Sequence, residues 1–237
     1  MNQIAKLVLA VMGVVLLLIG LVAEPMWSAS PDNDVIAINI LLEVDKVAFE
    51  RAQTANVTLR QAYPNGYAID ATHIPHITLL QCYLHAGKLT NIVGTIRDVS
   101  ASQSIQAMSL RAIGIKPSPA GLGDVKAAAF EVEAIPELRR LHEQVVKAVK
   151  PWVIHGGQAS AFVPNDDGSP IHPYIIGYVD EFIAKSSGPH YQPHLSVGLA
   201  AKAVIPQVES EARFSFQPKG LAIYQVGDFG TARKKLD

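Results

Sequence analysis

The segment Pro75-His76-Ile77-Thr78-Leu79 is echoed later in the chain by Pro193-His194-Leu195-Ser196-Val197. Each segment reads proline, histidine, aliphatic residue, hydroxyl residue, aliphatic residue. Successive side chains of a β-strand point to opposite faces, so the histidine and the hydroxyl residue of each segment are expected on one face. The aliphatic residues then occupy the other face. The pattern predicts two strands that each bury an aliphatic face and direct an imidazole and a hydroxyl into a cleft.

The composition predicts a folded domain without affinity for long nucleic acids. The chain has 237 residues, a formal net charge of −1, an apolar share of 49% and a charged share of 17%, as is typical of a globular fold. Its basic run is the short Arg233-Lys234-Lys235. Long duplex DNA or RNA is therefore not expected as the main ligand, whereas a small nucleotide or an RNA end is compatible with this charge. Cys82 is the single cysteine, which excludes an intrachain disulfide and a cysteine-based zinc site.

The first 30 residues differ in character from the rest. Lys6 is followed by an uncharged, mostly aliphatic run from Leu7 to Ala23, which is about the length of a minimal membrane span. We expect residues 1–30 to be a cleaved export signal or a retained membrane anchor; a buried helix of the fold is the third interpretation. Either of the first two places residues 31–237 in a bacterial periplasm. We expect this part to be monomeric and to contact the membrane only through the N-terminal segment.

The hydrophobic pattern predicts a duplicated α+β fold for residues 31–237. A strand, a helix, a histidine strand, another helix and further strands occur twice in the same order, with an insertion at 153–188. The predicted helices cover residues 43–63, 88–100, 136–150, 174–185 and 201–212. The predicted strands cover residues 35–42, 105–115, 125–132, 192–199, 214–216, 221–226 and 229–236, with the first histidine strand inside 69–84 and a turn-rich connection at 117–123.

Two imidazoles and two hydroxyls facing one groove have the chemistry that hydrolysis of a cyclic phosphodiester requires. One imidazole can deprotonate water and the other can protonate the leaving oxygen, because histidine titrates near neutral pH. Hydroxyl groups can donate hydrogen bonds to the phosphate oxygens. This scheme needs no metal ion.

At these residues the chain resembles the two-histidine (2H) phosphoesterase superfamily, which includes the 2′-5′ RNA ligase-like proteins and cyclic nucleotide phosphodiesterases. The family signature is a pair of His-x-Thr/Ser-x segments in which x is apolar. The resemblance implies a bilobal fold in which two antiparallel or mixed sheets form a central groove with helices outside. It also implies that His76 and His194 act as acid and base, that Thr78 and Ser196 bind phosphate, and that no cofactor is used.

The resemblance further implies a 2′,3′-cyclic nucleotide, an RNA end or a 2′-5′ linkage as substrate. We expect hydrolysis rather than ligation, because the sequence has no G-x-x-x-x-G-K-[ST] loop to bind ATP. The insertion at 153–188 leaves the substrate open, since it is able to form a lid over the groove.

Residues close to the two motifs are interpreted from their position alone. Tyr191 is a candidate to stack on a substrate base or to close the site. If the first histidine strand is regular, Cys82 falls on the histidine face as a small buried residue. Gln81 and Tyr83 then fall on the aliphatic face, and we assign them no role.

Two other functions fit the same residues. His73, His76, His190 and His194 are able to supply four imidazoles to zinc or copper. A non-catalytic module that binds a nucleotide or another phosphorylated ligand is the second alternative.

Overall fold

The computed structural model describes residues 34–237, so the expected export signal or anchor at residues 1–30 lies outside the described residues. The described part is α+β, as predicted, and none of its helices is long and apolar enough to cross a membrane. Its strands are β1 (Val35–Val44), β2 (His76–His85), β3 (Leu110–Leu122), β4 (Val125–Val132), β5 (His194–Ala201), β6 (Arg213–Phe216), β7 (Pro218–Val226) and β8 (Ala232–Lys235). Its α-helices are α1 (Lys46–Ala62), α2 (Leu89–Ala101), α3 (Pro136–Val149) and α4 (Pro173–Ser186).

The eight strands form one antiparallel sheet in the order β6-β3-β4-β5-β2-β1-β7-β8. The expectation of two separate sheets is therefore not confirmed. The two histidine strands, β2 and β5, join the halves of the sheet through a single pair, Ile77 with Leu195. Because these strands pair at one position only, they separate on either side of it, and the predicted groove lies along a junction within one sheet.

The two halves of the sheet repeat the same register. His76 pairs with Glu43 of β1, and His194 pairs with Glu131 of β4. Each histidine strand then has a β-bulge, opposite Ile40/Leu41 in the first half and opposite Ala128/Ala129 in the second. A bulge adds one residue to one strand and so reverses which face the following side chains occupy.

Helix α1 begins at a side-chain cap. Asp45 accepts a hydrogen bond from the backbone nitrogen of Ala48 at 2.9 Å, which satisfies one of the free N–H groups of the first turn. The buried side of α1 consists of Ala48, Ala52, Ala55, Asn56 and Leu59. Val47, which the sequence pattern places near this side, is 47% exposed. Helix α1 packs on β5 and α3 packs on β2, so each helix supports the histidine strand of the other half.

Strand β3 is longer than the sequence predicts. The residues at 117–123, predicted as a connection, continue β3 to Leu122, and the chain reverses at Gly123, which has a φ of 57°. Prolines are tolerated here because β6 pairs only with positions 110–113, so that side of β3 needs no further N–H donors. At the other end, residues 105–107 form a 3₁₀ turn before β3 begins.

The insertion at 153–188 covers part of the sheet face opposite the main core. Helix α4 lies within it and packs on β2. The hydroxyl of Tyr83 on β2 donates a hydrogen bond to the carbonyl of Ile176 in α4 at 2.9 Å. A second, smaller apolar cluster forms between the sheet and the insertion and includes Ala37, Tyr83, Phe162, Ile175, Val179 and Val226.

Candidate active site

The two motif histidines are the first residues of β2 and β5, and both rings are held in the same way. Nδ1 of His76 lies 2.8 Å from the carbonyl oxygen of Ile74. Nδ1 of His194 lies 2.9 Å from the carbonyl oxygen of Gln192. Because a carbonyl can only accept, each Nδ1 bears the hydrogen, and each Nε2 of the neutral ring carries the lone pair.

Both histidines line a single cavity of about 310 Å³. The structure brings together all five residues that the sequence analysis assigned to the site; the cavity wall includes His76, Thr78, Tyr191, His194 and Ser196. The wall also includes side chains of α4, so the insertion forms one side of the cavity. The predicted groove between the repeated motifs therefore exists and is partly covered.

Burial keeps both imidazoles uncharged in the free protein. His76 is only 8% exposed, and burial lowers its pKa to about 4, to which the nearby His194 also contributes. Burial likewise lowers the pKa of His194, and the positive charge of Lys116 acts in the same direction. Near neutral pH each Nε2 therefore presents a lone pair able to accept a proton.

Asn39 makes the two histidines inequivalent. Its side chain on β1 is fully buried, and its amide nitrogen lies 2.9 Å from Nε2 of His76 and 3.3 Å from Oγ1 of Thr78. Since the amide donates to both atoms, the hydroxyl hydrogen of Thr78 remains available to a ligand. The sequence analysis missed Asn39, which stands within an apolar run that correctly predicts a buried strand.

The bulge in β2 corrects the predicted facing of the residues that follow the motif. Leu41 pairs with Thr78, but Ile40 pairs with Leu80, so one residue of β2 is extra. Gln81 consequently lies on the histidine face and lines the cavity. Cys82, expected on that face, is instead in the main core. Tyr83 contacts the insertion rather than the main core.

Two buried polar residues satisfy the carbonyl groups that the bulges remove from the strand ladders. Nδ1 of His142 on α3 lies 2.7 Å from the carbonyl oxygen of Leu79. The amide of Asn56 on α1 donates to the carbonyl of Val197 at 3.0 Å. An unpaired buried carbonyl is costly, so these two side chains stabilise the local geometry that places the site residues.

Tyr191 lies in the cavity wall but is itself buried. Its ring stacks on His142 with a centroid separation of 3.8 Å and an interplanar angle of 2°. Its hydroxyl donates to the carbonyl of Thr78 at 3.2 Å. These contacts anchor the turn before β5 to the bulge of β2, and the stacking of Tyr191 on a substrate base stays a prediction.

Positive and aromatic side chains complete the cavity wall. Lys116 and Lys185 line it, and each forms an ion pair, with Glu131 at 2.7 Å and with Glu181 at 2.6 Å respectively. Phe229 also lines the cavity, from the turn between β7 and β8, and has a φ of 55°. This residue was predicted to begin a strand, but β8 starts three residues later because the chain turns sharply here. A positive φ is uncommon and costly for a residue other than glycine.

The described residues do not contain the cluster of ligands that the alternative of a metal site requires. Within residues 34–237, no group of three or more His, Cys, Asp or Glu side chains is placed to hold a metal ion. His73 instead stacks on Tyr67 and contacts Thr72. His190 lines the cavity, whereas His73 does not.

The fold has counterparts among solved structures. A crystal structure of TT0787 of Thermus thermophilus superimposes with a TM-score of 0.51 at 16% sequence identity, covering 85% of this chain and 96% of that chain. The two proteins share a fold. Kluyveromyces marxianus Usb1 gives a TM-score of 0.43 at 10% identity over 86% of this chain and 98% of that chain. The MHV ns2 PDE domain gives 0.37 at 12% identity over 80% and 99%. Neither a family model nor a curated protein matches the sequence.

Proposed function

We propose that this protein is a metal-independent phosphoesterase of the 2H type that hydrolyses a cyclic phosphodiester, such as a 2′,3′-cyclic nucleotide or the cyclic phosphate at an RNA end. One observation supports this most directly. The two motif histidines have the same Nδ1 anchor and line one cavity, whose wall also contains a motif hydroxyl from each strand.

The two motif histidines take opposite proton transfers in this proposal. We assign His76 as the general base because burial holds its pKa low and keeps Nε2 unprotonated. The attacking water takes the place of the Asn39 amide as the donor to Nε2 and then loses its proton to that atom. A bound phosphate raises the pKa of His194 through its negative charge, and protonated His194 then donates its proton to the leaving ribose oxygen. One P–O bond forms to water and one P–O bond to the ribose breaks, with one proton accepted and one donated.

The charge on the phosphate oxygens is stabilised by groups already in place. The Thr78 hydroxyl is free to donate because Asn39 supplies the hydrogen bond that it accepts, and Ser196 lines the cavity from the other strand. Lys116 adds a positive charge beside His194. Fixed donors of this kind stabilise the transition state without reorganisation during the reaction.

A hydrolysis screen tests the proposal. The purified domain is assayed against the four 2′,3′-cyclic nucleotides, a cyclic-phosphate-ended RNA and 2′-5′-linked dinucleotides, together with His76→Ala and His194→Ala. Loss of one acid or base typically costs ~10²–10⁴-fold in rate, and we expect both variants to show it with unchanged circular dichroism. His155→Ala is the matched control, because His155 is exposed and pairs with Asp180 away from the cavity. Wild-type rates in either motif variant overturn the proposal. Tight binding of a cyclic nucleotide without turnover between pH ~5 and ~8 supports the binding-module alternative.

A further inference from the structure

One polar atom in the cavity wall lacks a partner. The amide oxygen of Gln81 is buried and makes no hydrogen bond within the part of the chain that the structure describes. The residue is 2% exposed and lines the cavity. A buried acceptor left unpaired costs free energy, which a ligand donor would recover.

The surroundings of Gln81 fix which of its two amide atoms is free. Its nitrogen donates to the carbonyl of Gly230 at 3.4 Å. Because that carbonyl can only accept, exchanging the two amide atoms would place two acceptors together. The site therefore offers a ligand an acceptor at this position and selects for a donor.

The distance from the motif hydroxyl identifies the part of the substrate that reaches Gln81. Thr78 pairs with Leu41 and Gln81 pairs with Asn39. These partners are two residues apart on β1, so Gln81 lies about 7 Å beyond Thr78 along the strand. That is roughly the span from a ribose phosphate to its base. In a 2′,3′-cyclic phosphate the 2′ and 3′ oxygens are bonded to phosphorus and are not donors, which leaves the 5′-hydroxyl and the N–H groups of the base. At an RNA end the 5′ oxygen is esterified as well, so the base is the donor that both kinds of substrate offer.

The cavity near Gln81 has the flat, apolar surface that a base requires. Tyr174 and Tyr178 of α4 stack on each other at 6.0 Å and line the cavity. Phe229 lines it from the turn that also contains Gly230. Aromatic side chains stack on bases with little sequence preference, so stacking alone would not select a base and a polar group must do so.

We propose that Gln81 is a specificity-determining residue that accepts a hydrogen bond from an N–H group of the substrate's base. This proposal rests on the proposed function for the identity of the substrate. The bulge in β2 makes the role possible, because without it Gln81 would face the main core.

The test compares substrates with and without a base. The probes are the four 2′,3′-cyclic nucleotides, the cyclic phosphate of 1-O-methylribose, and the preferred nucleotide with its base N–H groups methylated. We expect Gln81→Leu to lower kcat/KM for the preferred nucleotide by about 10- to 100-fold, the usual effect of a lost buried hydrogen bond. Turnover of the base-free ribose phosphate should not change. Methylation of the base should lower the wild-type rate by a similar factor and leave Gln81→Leu unaffected.

Two further variants separate recognition from structure. Gln81→Glu keeps the acceptor and should retain preference for the unmethylated base. Gln225→Leu is the control, because the Gln225 amide also donates to a backbone carbonyl, that of Ala161 at 3.0 Å, but lies outside the cavity. The inference is overturned if the wild-type enzyme treats base-free and base-containing substrates alike, or if Gln81→Leu slows both equally. If no cyclic phosphate is turned over, the proposed function fails, and calorimetry still tests Gln81: nucleoside 3′-monophosphates should bind more weakly to Gln81→Leu, with ribose phosphate binding unchanged.

Discussion

The amide nitrogen of Asn39 lies 2.9 Å from Nε2 of His76, whereas the matching position in the second half of the sheet is Ala127. The match follows from register: Asn39 pairs with Gln81 beyond the first bulge, and Ala127 pairs with Leu199 beyond the second. A duplicated scaffold thus surrounds its two histidines differently. The two imidazoles of a nearly symmetric site are therefore inequivalent, as the proposed base and acid roles require.

The first prediction concerns the pKa of His76. An amide donor favours the neutral ring, and Asn39→Asp replaces it with a carboxylate that favours the protonated ring. The pKa of His76 should rise from about 4 by roughly 1–3 units, and the acidic limb of the kcat/KM profile should move to higher pH by the same amount. NMR titration of the imidazole Cε1–H signals measures the shift. Asn39→Ala should shift the pKa upward too, by less, since it removes the donor without adding charge. An unchanged His76 titration in both variants would contradict this account.

The second prediction concerns the two hydroxyls. Thr78→Val preserves shape and removes the donor, and Ser196→Ala does the same on β5. Each should reduce kcat/KM by about 10- to 100-fold, equivalent to ~1–3 kcal/mol, with Thr78→Ser restoring most of the loss. The control is Thr54→Val, because the Thr54 hydroxyl donates to the backbone carbonyl of Glu50 on the exposed side of α1. Normal steady-state rates in both hydroxyl variants would remove the phosphate-binding role.

The third prediction concerns acid stability. Burial lowers the pKa of His76 from 6.5 to about 4, so between these values the unfolded chain binds a proton that the folded protein does not. The contribution of His76 to stability is therefore complete above pH ~6.5, is lost as the pH falls to ~4, and amounts to about 3 kcal/mol. In urea melts, the free energy of unfolding of His76→Gln should decline less steeply over this interval than that of the wild type. The other buried histidines remain and provide the residual slope. Parallel curves for the two proteins would contradict the assigned pKa.

The sequence was sufficient to predict features that depend only on side chains alternating between the two faces of a regular strand. The histidine and the hydroxyl of each motif share a face because they are two positions apart, with a single residue and no bulge between them. Gln81 lies beyond the bulge, and the Leu79 carbonyl at the bulge finds its partner in His142, which is distant in the sequence. A regular alternation of faces was therefore wrong from that point onward.

Other features depended on contacts that sequence patterns do not encode. Asn39 interrupts an apolar strand, and only the pairing of β1 with β2 brings it to His76. The helix within the insertion was predicted, but its position over the cavity depends on Tyr83 and its partner in α4. The single pair that joins the two halves likewise has no signal in the hydrophobic pattern.

The last prediction concerns the docking of the insertion on the sheet. A side chain at Gly157 would overlap the ring of Tyr83, whose hydroxyl bonds to α4. Gly157→Ala must therefore displace either the ring or the segment. Overpacking of this kind costs typically ~1–3 kcal/mol, and movement of α4 widens the cavity. We expect a lower melting temperature and a raised KM, with kcat less affected because His76 and His194 lie at the starts of β2 and β5, away from Tyr83.

Gly177→Ala provides the matched comparison within the same insertion. Gly177 lies inside α4, and an added methyl group there would meet nothing within 4 Å. Alanine is favoured over glycine in a helix by up to ~1 kcal/mol, so this variant should melt at the same or a higher temperature with an unchanged KM. If Gly157→Ala behaves like Gly177→Ala in both measurements, the contact between the insertion and Tyr83 does not set the width of the cavity. If only Gly157→Ala raises KM, the wall formed by α4 is part of the substrate site.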